Sequence, residues 1–229
     1  MTLVVGAAKN KFYIHRDLLC EASPFFNAAF RGDGNFQESQ TQSMDLEEDD
    51  VEVFAVITQW MYTKACNLPD ICAEKEVGGS EPYFMRVATV YAAAEKYGIV
   101  MLKNALVDSL FSAAQSQPRP RHPTLKVIGY IYSTTPPGSP LRKLMVAWQT
   151  WHAFRAWFEF ENTPARLAEI PEFAADLACS MGMRHYGNVN SSPFTGKSDV
   201  FHEQMPKSRE QRVLSAEGME DIGNTSFTE

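Results

Sequence analysis

Residues 12–30 of the chain, FYIHRDLLCEASPFFNAAF, decide how the fold begins. The apolar and aromatic run at the start of this stretch is typical of a β-strand. Asp17 then begins a short helical segment. Ser23 followed by Pro24 combines a capping residue with a first-turn proline, which predicts a second helix that carries the next phenylalanines. The stretch therefore predicts one strand followed directly by two short helices.

Two more strands are predicted on either side of this stretch. Residues 3–5 are apolar, and a polar turn over residues 6–10 separates them from residues 12–14, which is the pattern of a β-hairpin. Residues 43–46 alternate in polarity, as a third strand does. Together these segments predict a small β-sheet.

Helical spacing of apolar residues recurs three times in the next part of the chain. Asp49 and Glu52 form a capping-box pattern that begins the first of these helices, which ends near Tyr62. Residues 63–80 are polar and predict a loop. Gly98 separates the two helices that follow. The inward faces of these helices are predicted to carry Phe54, Ile57 and Tyr91.

A Pro/Arg-rich linker at residues 117–123 is the clearest domain boundary. Residues 124–132 beyond it predict a helix. A serine and a proline at positions 139–140 predict the start of another helix, which reaches Phe158. A last helical region ends near Cys179.

The chain is therefore predicted to have three parts. Residues 1–116 form a mixed α+β domain, and residues 124–181 form an all-α extension. Residues 182–229 are rich in Ser, Gly, Asn and Glu and have no apolar periodicity, so we expect a disordered tail.

Charge and composition exclude several classes of partner. The net charge is −7, and residues 1–115 carry nine basic against sixteen acidic side chains. An acidic surface repels phosphate, so no direct binding of nucleic acid is expected. No apolar run is long enough to cross a membrane. The four cysteines match no disulfide framework, which predicts reduced thiols and a cytoplasmic or nuclear protein.

No motif points to catalysis or to a bound cofactor. The sequence has no nucleophile elbow, P-loop or dinucleotide fingerprint. Cys66 and Cys72 have no second pair of ligands at zinc-like spacing. The acidic run at residues 45–52 lacks the spacing and the glycine of a calcium loop, and carboxylates favour a helix start. We therefore predict no catalytic residue, no cofactor, no metal ion and no enzyme activity.

Six segments, in the right order, resemble the BTB/POZ family. They match the family's first strand and turn, its F-x-V-H-K-x-x-L segment, its S-x-x-F helix, its F-x-E-S segment, its helix ending in Y-T-G and its A-x-x-Y-x-I segment. In this chain they are residues 2–6, 12–19, 23–26, 36–39, 54–63 and 92–99. Lys64 stands where the family commonly has glycine. The region beyond the linker resembles the helical part of fungal BTB proteins.

The resemblance implies an α+β BTB/POZ fold, with a small sheet flanked by helical hairpins, and a function in binding other proteins. Family homodimers commonly exchange an N-terminal helix and strand. This sequence begins inside the first strand, so we expect at most weak self-association.

The resemblance also implies a contact site for a cullin scaffold. An apolar residue, any residue and then Glu contribute to cullin binding in the family, and Phe36, Gln37 and Glu38 match that pattern. Tyr62 is expected at the edge of the same surface. The alternative is that Phe36 packs under its loop and Glu38 is only solvated.

Three functions are consistent with this pattern. The chain could be a substrate adaptor of a cullin-type ubiquitin ligase. It could instead be a non-ligase scaffold or homotypic assembly protein, or a transcriptional co-regulator that acts through a DNA-binding partner. An adaptor needs a second surface for its substrate, and no Kelch, MATH, ankyrin or zinc-finger segment follows. The helical extension or the tail would then have to hold the substrate.

Overall fold

A three-stranded sheet begins the fold. In the computed structural model, the central strand β1 (Thr2–Val5) is antiparallel to β2 (Asn10–Tyr13) and parallel to β3 (Ser43–Leu46). Alternate residues of β1 are buried, as expected for a strand with one face on the core. The predicted hairpin and third strand are confirmed. The structure describes residues 1–31, 37–66, 81–115, 122–153, 163–187 and 191–205.

Helices make up most of the rest of the described chain. The first six are α1 (Arg16–Ala22), α2 (Pro24–Arg31), α3 (Gln37–Thr41), α4 (Val51–Thr63), α5 (Glu81–Lys96) and α6 (Val100–Gln115). The extension contains α7 (Leu125–Thr134), α8 (Pro140–His152), α9 (Thr163–Ala168) and α10 (Pro171–Tyr186). The fold is therefore α+β with an all-α extension, as predicted.

The predicted start of α2 is confirmed. Its capping residue, Ser23, also joins α2 to the turn between α5 and α6. Ser23 Oγ accepts a hydrogen bond from the Phe26 N–H at 3.2 Å and donates to the Tyr97 carbonyl at 2.6 Å. Gly98 has a φ of +67°, and a Cβ there would lie 2.9 Å from Pro24 Cγ. Glycine is therefore needed both for the backbone conformation and for the close approach of α2.

The capping residue of α4 is Asp50, one residue after the predicted Asp49. The Asp50 side chain accepts from the Val53 N–H at 2.9 Å. Asp49 instead accepts from Lys96 Nζ at 2.8 Å and from the Tyr97 hydroxyl at 2.7 Å. Burial and the adjacent Asp49 carboxylate both raise the pKa of that hydroxyl, so it remains a donor. Asp49 therefore anchors the start of α4 to the end of α5.

The core runs without a break from the sheet into the helical extension. The predicted burial of Phe54, Ile57 and Tyr91 is confirmed, with exposed fractions of 1%, 0% and 0%. The Tyr91 hydroxyl lies 3.2 Å from Ser139 Oγ at the start of α8. The ring of Trp148 in α8 meets the edge of Phe84 in α5 at 5.5 Å between centroids. The extension is therefore packed against the first domain rather than tethered to it.

Two predicted helix ends in the extension differ from the structure. α8 ends at His152, because Ala153 takes an extended conformation, and residues 154–162 lie outside the described ranges. The last helical region is divided into α9 and α10 and continues to Tyr186 rather than ending near Cys179. The predicted domain boundary at 117–123 stays a prediction, because residues 116–121 are not described. The same holds for residues 67–80 of the predicted loop.

The predicted start of the disordered tail is corrected by the structure. Residues 182–186 complete α10, and residues 191–205, which we call the strap, lie across α6 and α8. Two short 3₁₀ turns in the strap bury Phe194 and Phe201. Two aromatic side chains in a short non-periodic segment leave no periodic signature, so sequence periodicity missed them. Residues 206–229 lie outside the described part of the chain.

Two half-buried histidines lie close together: His122 precedes α7, and His152 ends α8. Burial lowers the pKa of His122, and hydrogen bonds with Gln149 and the His152 backbone partly oppose this. Burial also lowers the pKa of His152, and the nearby His122 lowers it further. Both shifts favour the neutral form of the ring in the folded protein.

The fold should lose stability in mild acid because of these two rings. An unfolded histidine has a pKa of about 6.5, so the unfolded chain binds more protons than the folded chain below that pH. The free energy of unfolding should therefore fall as the pH drops below about 6.5, toward the lowered pKa values of the folded state. Urea titrations at several pH values between about 7.5 and 5 measure this.

A His152→Phe variant serves as the control for the acid effect, since phenylalanine keeps a ring against Trp148 and Phe194 but cannot be protonated. Its stability should depend less on pH over the same range. An unchanged slope in this variant would contradict the assignment to His152.

Candidate protein-interaction site

The structure places two of the three predicted contact residues, and Phe36 lies outside the described residues. Glu38 is half-buried in α3, which packs against α2 and β3. Tyr62 lies in the last turn of α4 with 48% of its surface exposed. Among the described residues, no hydrogen bond or ring contact joins Glu38 to Tyr62.

His15 holds Tyr62 in place. The Tyr62 hydroxyl accepts from the His15 backbone N–H at 3.2 Å and lies 2.7 Å from His15 Nδ1. The hydroxyl has one proton to donate and a second lone pair to accept, so this contact can form with either tautomer of the His15 ring. The two rings also meet edge to face, with centroids 5.7 Å apart. His15, just after the hairpin, therefore has a structural role.

Tyr13 is an exposed aromatic residue that sequence reasoning did not select. It ends β2 with 73% of its surface exposed. Together with His15 it lines a shallow cavity of about 360 Å³. The sequence could have indicated this exposure. Side chains alternate along a strand, and Phe12 and Ile14 face inward, so Tyr13 lies on the other face. We call Tyr13, His15 and Tyr62 the tyrosine patch.

Arginines next to the tyrosine patch hold α1 against α2. Arg16 donates to the Phe30 carbonyl at 2.8 Å, near the end of α2. Arg31 forms an ion pair with Asp17. The Asp17 side chain is largely exposed, so this pair contributes little to stability and mainly adds charge to the surface.

A second, larger groove is separate from the tyrosine patch. It has a volume of about 720 Å³ and lies between residues 48–50, α5 and α7. The basic side chains that line it are paired within the fold. Arg86 donates to Glu52 at 2.6 Å, and Lys96 donates to Asp49 at 2.8 Å. These two cations are therefore already engaged within the protein.

The described residues supply no obvious reactive centre. No group of three His, Cys, Asp or Glu side chains within the described ranges could hold a metal ion. Burial raises the pKa of the Cys66 thiol to about 11, so this thiol is protonated at neutral pH and is a poor nucleophile. No helix in the same ranges is both long and apolar enough to span a membrane. The exposed rings of Tyr13 and Tyr62 are side chains of the kind that often dominate protein contacts.

Comparison with known families agrees with this geometry. The model of the BTB/POZ domain family matches residues 1–112. Residues 1–112 are a BTB/POZ domain. BTB/POZ domains mediate protein–protein contacts, including homotypic ones, so the chain contains a protein-interaction module. The comparison with curated proteins finds no match. Helices α7–α10 and the strap lie beyond the part that the BTB/POZ model matches.

Proposed function

We propose that this BTB/POZ protein is a substrate adaptor that binds a cullin-type ubiquitin ligase scaffold. It acts by contact rather than catalysis, in the cytoplasm or the nucleus. Phe36 is the apolar anchor, Glu38 is a rim charge and Tyr62 lies at the edge of the surface. The observation that carries the proposal is the exposed ring of Tyr62, held in one orientation by His15.

A fixed, exposed tyrosine is suited to binding a protein. Tyrosine is enriched among the residues that dominate interface energies, because it buries a large ring and also offers a hydroxyl. The ring of Tyr62 is already oriented before a partner arrives, so little side-chain entropy is lost on binding. Glu38 supplies a carboxylate at the margin, where charge affects mainly the rate of association.

Substitutions at the proposed contact residues should weaken cullin binding unequally. Phe36→Ala should weaken the free energy of cullin binding by about 2 kcal/mol, which raises the Kd roughly thirtyfold, as expected of a central anchor. Glu38→Ala should cost less, because a rim charge is screened by solvent. Titration calorimetry with a purified cullin N-terminal domain measures both values, and thermal unfolding shows whether each variant keeps its stability.

The chain offers a matched control for the tyrosine at the edge. Tyr62→Ala should also weaken binding, whereas Tyr186→Ala, at an 89% exposed position in α10, should leave binding unchanged. Absence of binding by the unaltered protein at tens of micromolar would contradict the proposal. A Phe36→Ala protein that binds normally would do so as well. If that variant instead unfolds several degrees early, Phe36 is a core residue.

A non-ligase scaffold or homotypic assembly protein is the second candidate. The strand order leaves β2 at an edge of the sheet, with the exposed Tyr13 at its end. An edge strand can pair with another chain. Light scattering over a range of concentrations separates the two candidates, because assembly through this edge gives a dimer that does not require a cullin.

A further inference from the structure

The strap is held by two aromatic anchors. Phe194 contacts the rings of Phe111 in α6 and of Trp148 and His152 in α8, with centroids 4.9 to 5.9 Å apart. Phe201 lies 6.1 Å from the ring of Phe111. The two anchors are seven residues apart and both are buried. Helices α6 and α8 therefore form an apolar groove for two aromatic side chains.

Two amide side chains of α6 bind the backbone of the strap. Asn104 accepts from the Glu203 N–H at 2.9 Å and donates to the Glu203 carbonyl at 3.1 Å. At the other end of α6, Gln115 donates to the Phe194 carbonyl at 2.7 Å. These bonds would be available to any peptide with the same backbone shape, because they involve only its main chain.

A buried lysine binds one of the two acidic side chains of the strap. Lys103 in α6 is only 2% exposed, and its ammonium group pairs with Glu95 at 3.0 Å and with Glu203 of the strap. An ammonium group removed from water needs compensating partners. Loss of the strap would leave Lys103 with Glu95 as its one remaining carboxylate among the described residues. The groove therefore favours a ligand that brings a carboxylate to this position.

The strap is not part of a regular main-chain ladder. Its described backbone–backbone hydrogen bonds outside helices and strands all stay within the strap itself, as between His202 and Asp199. Val200 is 66% exposed, and a cavity of about 430 Å³ lies between the strap and helices α8 and α10. The strap can therefore leave without breaking a helix or a sheet.

We propose that the groove between α6 and α8 is a peptide-binding site for a partner protein, and that the strap is a competing occupant from the same chain. The partner segment has two aromatic side chains seven residues apart and a carboxylate two residues after the second. This is the chemistry that Phe194, Phe201 and Glu203 display in the groove. The site lies outside the cullin surface proposed above, and it would serve a ligase adaptor or a scaffold equally.

A labelled peptide with the sequence of residues 191–205 tests the groove on the full chain. The strap in cis should compete strongly, because its tether gives it a high effective concentration. A full chain carrying Phe194→Ala and Phe201→Ala should therefore bind the peptide at least tenfold more tightly than the unaltered chain. Fluorescence anisotropy measures both affinities. Equal affinities, or no binding to either chain, would overturn the proposal.

Lys103 gives a specific signature. We call the chain with Phe194→Ala and Phe201→Ala the strap-weakened chain. In it, Lys103→Met should reduce peptide affinity at least tenfold. Lys143→Met, on the exposed side of α8, should not. A peptide with Gln in place of Glu203 should bind the strap-weakened chain less tightly than the original peptide does. When Lys103 of that chain is also replaced by Met, the two peptides should bind equally well. Independent, additive effects of these two changes would contradict a direct ion pair.

Two further measurements keep the result interpretable. If the doubly substituted chain does not fold, Glu203→Gln in the full chain is the alternative. It weakens the strap while leaving both aromatic anchors in place, and it should bind the peptide more tightly than the unaltered chain.

Sedimentation of the unaltered chain measures its oligomeric state and so tests whether a second copy is the occupant. A dimer that disappears in Phe194→Ala would mean that the strap is exchanged between copies, and the partner proposal would then be wrong.

Discussion

Replacing Phe54 with alanine is expected to lower the free energy of unfolding by about 3–5 kcal/mol. The side chain is 1% exposed and lies where the sheet meets the helices. Its ring contacts Phe12 of β2 at 5.5 Å, Tyr97 after α5 at 6.0 Å and Phe26 of α2 at 6.5 Å between centroids. Alanine would remove these contacts and leave a cavity that neighbouring elements cannot easily fill.

Chemical denaturation followed by circular dichroism measures this loss. Phe25→Ala is the matched control, because Phe25 contacts Phe26 and Tyr97 but is 43% exposed. It should cost clearly less than Phe54→Ala. A loss below about 1 kcal/mol for Phe54→Ala would mean that this part of the core is less tightly packed than described.

Trp148→Ala should destabilise the whole chain by a similar amount, about 3–5 kcal/mol. Trp148 is fully buried in α8 and contacts Phe84 of the BTB/POZ domain and Phe194 of the strap. Its loss removes packing from three parts of the protein at once. Because the core is continuous, we expect one unfolding transition that shifts as a unit.

Two probes are needed to test this cooperativity. Circular dichroism follows all helices, and near-ultraviolet signals follow the aromatic packing; the two should report the same midpoint in each variant. Trp151→Ala is the control, since Trp151 is only half-buried and lies under the guanidinium of Arg184. Two separate transitions, with only one shifted by Trp148→Ala, would show that the BTB/POZ domain and the extension unfold independently.

Much of the fold could be predicted from local sequence. Ser23 followed by Pro24 marks the start of α2, and Gly98 marks the turn between α5 and α6, because caps and turns depend on residues close together in the chain. The burial of Phe54 follows from helical spacing alone. These features were predictable because their contacts recur at fixed separations.

The details of the candidate site were less accessible. Tyr62 could be selected only by its resemblance to a family position, and its contact with His15 joins residues 47 positions apart. Which carboxylate caps α4 was also ambiguous, since Asp49 and Asp50 are adjacent in one acidic run. The choice depends on where the end of α5 places Tyr97, and that position is set by packing.

Local sequence patterns predicted the three strands, most of the helices with their buried faces, and the BTB/POZ family of the first domain. Two features became visible only in the folded molecule: Trp148 joins the extension to that domain, and Phe194 and Phe201 lie in a groove beside the buried Lys103. The physical reason is the range of the interactions. Periodicity reports contacts between neighbours along the chain, whereas the strap is positioned by surfaces that exist only after α6 and α8 have packed together.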